Sequence, residues 1–377
     1  LGANVVIANA VGRGDREAVQ KAVHTSIVFS LLGGIVVAVL GELAAAALLR
    51  TLHVPDDVFP QALLYLRIYL MGMPVILLYN FEAAIFRSVG ETRVPLVALA
   101  MSGVLNVLLN LFFVAVLHMT VNGVAIATVM ANAFSSALLF RRLLRSGKDI
   151  RLEPRKLRMD GRSLWMILRI GLPAGLQSAV FAISNIVIQS AINSLGKVVM
   201  AASSAACNIE VFAYDVMNSY NQACTTFVGQ NYGAGQTDRI RKGIRSAGLC
   251  SAAFCIVISV LVCAFAAPLM GIFIDPAETA ILAAGVHYLH IEGACYLGIG
   301  ILFLLYGYYR AVNQPQMSVV LTIASLGTRV ALAYLLSATP LGVTGIWLSV
   351  PIGWALADAI GIGYYLKKHR AKYAVQA

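Results

Sequence analysis

Acidic and amide side chains stand inside long apolar stretches of this 377-residue chain, at spacings that place them on shared helical faces. In "NIEVFAYDVMNSYNQ", Asn208, Asp215 and Gln222 recur every seven residues with Asn218 alongside, and Glu210, Tyr214 and Asn221 make a second stripe. The preceding segment offers Gln177 and, on one face, Ser178, Asn185, Gln189 and Asn193, so that facing stripes would line a polar cavity. Glu292, Arg329 and Asp358 are further charges within apolar segments. Charges in hydrocarbon are costly, and they either line a pathway or pair with one another. A carboxylate in low dielectric can hold a proton or a cation and exchange one for the other, which is the chemistry that couples two fluxes. The structural alternative is that Glu210 and Asp215 pair with amides or Arg329 and hold helices together.

The elements that must carry these residues are membrane helices. The chain is 59% hydrophobic and 12% charged, where a soluble domain has about 25% charged residues. Nearly uncharged runs at 27–49, 96–117 and 249–274 reach the ~20 residues a spanning helix needs. Ten spans are expected, at 22–50, 59–87, 94–117, 120–143, 164–194, 199–230, 244–273, 279–310, 315–338 and 341–367. The net charge of +11 does not call for a nucleic acid, because every Lys and Arg except Arg50, Arg67, Lys197 and Arg329 falls in or beside alternate loops. That pattern sets topology, and it places both ends of the chain and the basic segment 147–163 on the cytoplasmic side of the plasma membrane. The six cysteines form no CxxC pair and read as packing residues, with no metal site.

A polar loop is written twice. "VGRGDREAVQKAV" from Val11 is echoed by "YGAGQTDRIRKGI" from Tyr232, "FRSVGETRVP" from Phe86 by "YRAVNQPQMS" from Tyr309, and "VNGVAIAT" from Val121 by "VTGIWLSV" from Val343. A steady offset of this kind marks duplicated halves: an N-terminal lobe over 1–146, the basic cytoplasmic linker over 147–163 and a C-terminal lobe over 164–377. Both copies of the loop fall on one side, so the halves are parallel repeats about an axis along the membrane normal, as in alternating-access transporters. In the second half "GLP" at 171–173 precedes the loop by two helices. The first half has eleven residues before Gly12, so two helices are expected upstream of Leu1. The expected fold is all-α and polytopic, two pseudo-symmetric six-helix bundles, and the chain as written is expected to be inactive.

With "GLPAGLQ" opening the second lobe, "VGQNYGAGQTDRIRKG" closing its second helix and "FRSVGETRVP" between two helices of the first, the chain resembles the MATE family, the multidrug and toxic compound extrusion transporters. The resemblance implies a V-shaped pair of bundles exporting organic, often cationic, compounds in exchange for H⁺ or Na⁺. It also implies a cation site in the first lobe, carried onto Asn106 and Asn110 in "SGVLNVLLNLFF" and Thr128 in "GVAIAT". Asn110 replaces the Asp of the proton-coupled branch, and Phe181 stands near where the sodium-coupled branch has Glu. Together with Glu210, Asp215 and Glu292, these are the coupling candidates. Gln177, Ser178, Asn185, Gln189, Asn208, Asn218 and Gln222 are the cavity candidates.

The expected protein is a monomer that takes small organic substrates and needs no cofactor beyond its coupling ion. It lacks the DDxxD or HExxH signature of a membrane-embedded enzyme. The rival reading is a lipid-linked oligosaccharide flippase, which would need Arg or Lys facing the cavity to hold a pyrophosphate. Two local expectations complete the picture. Glu82 and Arg87, near one helix end, should form an ion pair, and Tyr79, Phe212, Tyr214 and Tyr296 offer faces for aromatic drugs.

Overall fold

The computed structural model describes residues 1–52, 54–147, 149–193 and 195–374, with side chains to residue 367. His53 of one expected hairpin tip, Ser194 of another and Lys148 of the linker lie outside the described residues. Among the described residues the chain is helical with no strand, and it divides into two compact units, Leu1–Leu168 and Arg169–Ala377. Unit 1 holds α1 (Gly2–Gly12), α2 (Arg16–Thr51), α3 (Phe59–Met71), α4 (Met73–Ser88), α5 (Arg93–Leu111) with a π-helical turn at Phe112–Val116, and α6 (Val121–Leu144). The long α7 (Gly161–Asn193) begins there and carries the unit boundary. Unit 2 holds α8 (Lys197–Gly233), α9 (Thr237–Ala264), α10 (Ala266–Met270), α11 (Thr279–Gly293), α12 (Tyr296–Ala311), α13 (Pro315–Ser337) and α14 (Val343–Ala374).

Seven of these helices are long and apolar enough to cross a membrane, or nine with each bent pair taken as one span. The expected ten therefore become nine by length and composition. The difference is α8, which at 37 residues is the longest helix but carries both polar stripes. Exposed apolar side chains such as Leu43, Leu96, Leu249 and Ile272 cover the helices, as a lipid-facing surface requires. This is an all-α polytopic membrane protein.

The duplication reaches the backbone. Gly14 and Gly235 take φ of 70° and 69°, left-handed values that glycine adopts without a Cβ penalty. Asp15 N–H returns to Ala10 O and Gln236 N–H to Asn231 O, at 3.1 and 2.9 Å, closing both helices alike. Gly90 and Asn313 repeat the device after α4 and α12, with φ of 76° and 59°. The α3–α4 pair bends by 49° and the α11–α12 pair by 48°.

The linker is strapped to one face of α2. Arg16 pairs with Asp149 at 3.2 Å, Gln20 donates to Asp149 O, Glu153 N–H donates to His24 Nε2 at 3.1 Å and Asp160 N–H to Thr25 Oγ1 at 3.0 Å. Residues 16, 20 and 24 recur at helical spacing, and Ile150 and Leu152 are buried beneath the strap. Asp160 then caps α7, accepting from Ser163 N–H at 2.8 Å. Hydrogen bonds from Ser163 hold the Asp160 carboxyl below the usual carboxylate range, and Lys156, at 2.8 Å, does the same to Glu153.

Helix α2 meets α4 through Gly34, where a Cβ would fall 2.4 Å from Pro74 Cα, whereas a Cβ on Gly33 meets nothing within 4 Å. Small residues permit this backbone approach in membranes. Gly34→Val is expected to destabilise the protein by about 1–3 kcal/mol, and Gly33→Val by less than about 0.5 kcal/mol. Thermal unfolding in detergent checks this, and equal shifts for the two neighbours would refute the contact.

Candidate functional site

Glu210 lies on α8 where α11 and α12 pack against it. The α11–α12 bend sets Glu292 just before the break and Tyr296 just after it, and Tyr296 reaches Glu210. Tyr288, one turn before Glu292 on the same face, donates to Glu210 Oε2 at 2.9 Å, and Tyr296 donates to Oε1 at 3.4 Å. Glu292 stands close enough to Tyr288 and Glu210 to interact with both electrostatically. Both carboxylates are buried, 3% and 2% exposed. No Lys, Arg or His forms a salt bridge with either among the described residues.

Aromatic rings wall the pair. Tyr214, one turn along α8 from Glu210, meets Tyr296 and Trp354 edge to face at 6.2 and 6.4 Å, and Tyr288 meets Trp347 at 5.5 Å. Arg329 on α13 is near enough to act on both carboxylates electrostatically. Its Nη1 donates to Asn185 Oδ1 at 3.3 Å, and its Nε is buried without a partner among the described residues. The result is two acids, one nearby guanidinium and a ring of π-faces, which are attractive to cations.

The two α8 stripes thus part company. Glu210, Tyr214 and Asn221 point into the bundle, while Asn208, Asp215 and Asn218 are exposed and Gln222 is half-buried. Asn221 joins the stripes by donating to Asn218 Oδ1 at 3.1 Å. On α7, Gln177 is buried and accepts from Arg310, Ser178 bonds back to Ala174 O at 3.2 Å, and exposed Gln189 donates to Asn193 at 2.8 Å. Asn185 alone among them is linked, through Arg329, to the carboxylate pair. Of the aromatic candidates, Phe212 is 74% exposed, whereas Tyr214 and Tyr296 belong to the site. Tyr288, as the main donor to Glu210, is the member that spacing along α8 could not find. Its i,i+4 relation to Glu292 on α11 was the available signal.

In unit 1, Asn110 Nδ2 donates to Asn106 Oδ1 at 3.1 Å, and Asn110 Oδ1 is buried without a partner among the described residues. Thr128 turns its hydroxyl back to Val124 O at 3.0 Å and does not join the amides. Glu82 departs from its expected ion pair with Arg87. It is fully buried, Ser136 Oγ donates to its Oε2 at 2.9 Å, and Oε1 has no partner among the described residues. Five positions along a helix is about 140° past a full turn, so Glu82 and Arg87 leave α4 on different faces.

A bundle of long apolar helices with polar groups gathered inside, duplicated down to its turns, defines a polytopic membrane protein with the build of a transporter. The chain belongs to the MatE family, whose profile matches residues 1–112 and 173–335. It is 26% identical over 373 residues to the probable multidrug resistance protein YoeA of Bacillus subtilis, covering 97% of this chain and 80% of the relative. It is 23% identical to the probable multidrug resistance protein NorM of Thermotoga maritima, covering 100% and 82%. The fold matches a solved outward-facing multidrug resistance MATE family transporter of the MOP superfamily with a TM-score of 0.93, at 21% identity over 98% of this chain and 83% of that one.

Tyr288→Phe removes the shorter hydrogen bond to Glu210 without changing shape. It is expected to cost about 1–3 kcal/mol, the penalty for a buried acceptor losing its donor. Tyr364→Phe, 40% exposed, should cost under about 0.5 kcal/mol. Thermal unfolding of the two variants side by side reads the difference, and matching midpoints would remove Tyr288 from the site.

Proposed function

We propose that the protein is a secondary-active antiporter of the plasma membrane that exports small organic, chiefly cationic, compounds in exchange for H⁺ or Na⁺ by alternating access. The observation that carries this reading is the Glu210–Glu292 pair. Two carboxylates with a single guanidinium nearby leave one negative charge to be neutralised, and a proton, Na⁺ or an organic cation can each do so. Because they compete for one position, binding one expels another, and the aromatic wall gives the organic cation faces to rest on. Tyr288 and Tyr296 hold the carboxylates in place and supply the hydrogen bonds that water would otherwise give.

The multidrug resistance names of the relatives agree with this cargo. Asn106, Asn110 and Thr128 are neutral groups that carry no exchangeable proton, so in this reading they can serve Na⁺ or structure, and proton exchange falls to unit 2. Asp215, outside the pair, draws cations by charge without setting the coupling. A flippase cargo with a pyrophosphate asks for cations in the cavity, yet Arg310 and Arg329 are already engaged by Gln177 and Asn185.

Everted vesicles carrying the intact gene product test this, following a fluorescent organic cation under separately imposed pH and Na⁺ gradients. Transport should follow one gradient and fall roughly 5- to 150-fold in Glu210→Gln and in Glu292→Gln, the usual span of a coupling energy. Asp215→Asn should retain more than about half of the rate, a loss small beside such a coupling energy. Indifference to both gradients, or wild-type rates in both Gln variants, would overturn the proposal. Loss confined to Asn106, Asn110 and Thr128 variants would move the coupling site to unit 1.

A further inference from the structure

Unit 1 contains a cleft of about 800 Å³ where α5 begins and α6 ends, away from every residue discussed as a transport site. Its mouth carries Arg93, Arg141, Arg142 and Arg145 against a single acid, Glu91. All four arginines are exposed, and none forms a salt bridge among those of the described residues. Below the mouth the lining turns apolar. Val94, Val97, Ala98 and Met101 descend one face of α5, and Leu138 and Leu139 face them from α6, with Phe86 at the end of α4. From Arg93 to Met101 is eight residues, about 12 Å of helix, so the apolar wall runs from the arginines towards the hydrocarbon.

We propose that this cleft binds an anionic phospholipid, its phosphate held by Arg141, Arg142, Arg145 and Arg93 and one acyl chain laid along Val97 and Met101. Three features support that occupant. Charge and apolar lining are separated along α5, in the order of a lipid's head and tail. Both lining helices are long and apolar enough to span a bilayer, and basic pockets between membrane helices take anionic headgroups. Guanidinium groups match phosphate oxygens with paired N–H donors.

The repeat sets Arg141, Arg142 and Arg145 against Gly363, Tyr364 and Lys367 of α14, and Arg93 against Gln316 of α13. At those positions the second half carries one cation, Lys367, and its chain runs on into the basic segment Lys367–Lys372. In α14, Tyr364 packs near Tyr309 at 5.8 Å where Arg142 stands free to meet a ligand.

The test is native mass spectrometry of the purified full chain in detergent with phosphatidylglycerol or phosphatidylcholine of identical acyl chains. Phosphatidylglycerol should be retained about tenfold or more over phosphatidylcholine, and the preference should vanish in Arg141→Gln/Arg142→Gln/Arg145→Gln, given the attraction of each basic residue for an anionic surface. Arg13→Gln/Arg155→Gln/Arg162→Gln removes the same charge outside the cleft and should keep the preference. Met101→Trp fills the apolar wall with every arginine in place and should weaken retention several-fold. Equal retention of both lipids, equal loss in the two triple variants, or unchanged retention in Met101→Trp would each overturn the site. A Lys version of the cleft triple, which keeps the charge, guards against a variant that merely misfolds.

Discussion

Hydrocarbon offers a carboxylate neither a donor nor a counter-ion, and the architecture of unit 2 can be followed outward from that constraint at Glu210. Its two oxygens need donors from other helices, which Tyr288 and Tyr296 provide from either side of the α11–α12 break. An unbroken helix of the same length would carry Glu292 and Tyr296 up the same stripe in a straight line. The 48° bend falls between them, and Tyr296 beyond it reaches Glu210 on α8. Packing of Tyr214, Trp347 and Trp354 around the pair then keeps lipid and water from competing for those hydrogen bonds.

Duplication has preserved the scaffold and let the chemistry diverge. The left-handed turns and the bends near 48° recur in both units, because helix ends and close crossings tolerate few alternatives. The acids do not recur. The repeat places Leu70 opposite Glu292 and Leu305 opposite Glu82, so each unit buries carboxylates of its own. Unit 1 meets the same constraint with Ser136 as the donor to Glu82.

Much of this was legible in the residues. Apolar runs and paired polar loops specified membrane helices and two related halves, and the quoted motifs pointed to the family. What the helical period could not decide was which α8 stripe faces inward. Asn208, Asp215 and Gln222 keep the cleaner spacing, yet the bundle buries Glu210, because the tyrosines that satisfy it sit some 80 residues away on α11 and α12. Glu82 went astray for the same reason. Nearness to Arg87 in sequence suggested a pair, while the true donor lies 54 residues on, on α6. The polarity that made α8 look functional also lowered its apolar character below that of its neighbours. Long-range hydrogen bonds leave no periodic trace in a single sequence.

The claim at the centre is that one exchangeable positive charge resides at Glu210 and Glu292. Equilibrium binding of a fluorescent organic cation to the purified protein, titrated against H⁺ and Na⁺ in turn, addresses it most directly. Competition for one position predicts that the apparent Kd rises in direct proportion to the competing ion, with a logarithmic slope of about one, and that this dependence disappears in the Glu210→Gln/Glu292→Gln double variant. An apparent Kd indifferent to both ions, or a dependence that survives the double variant, would contradict the account.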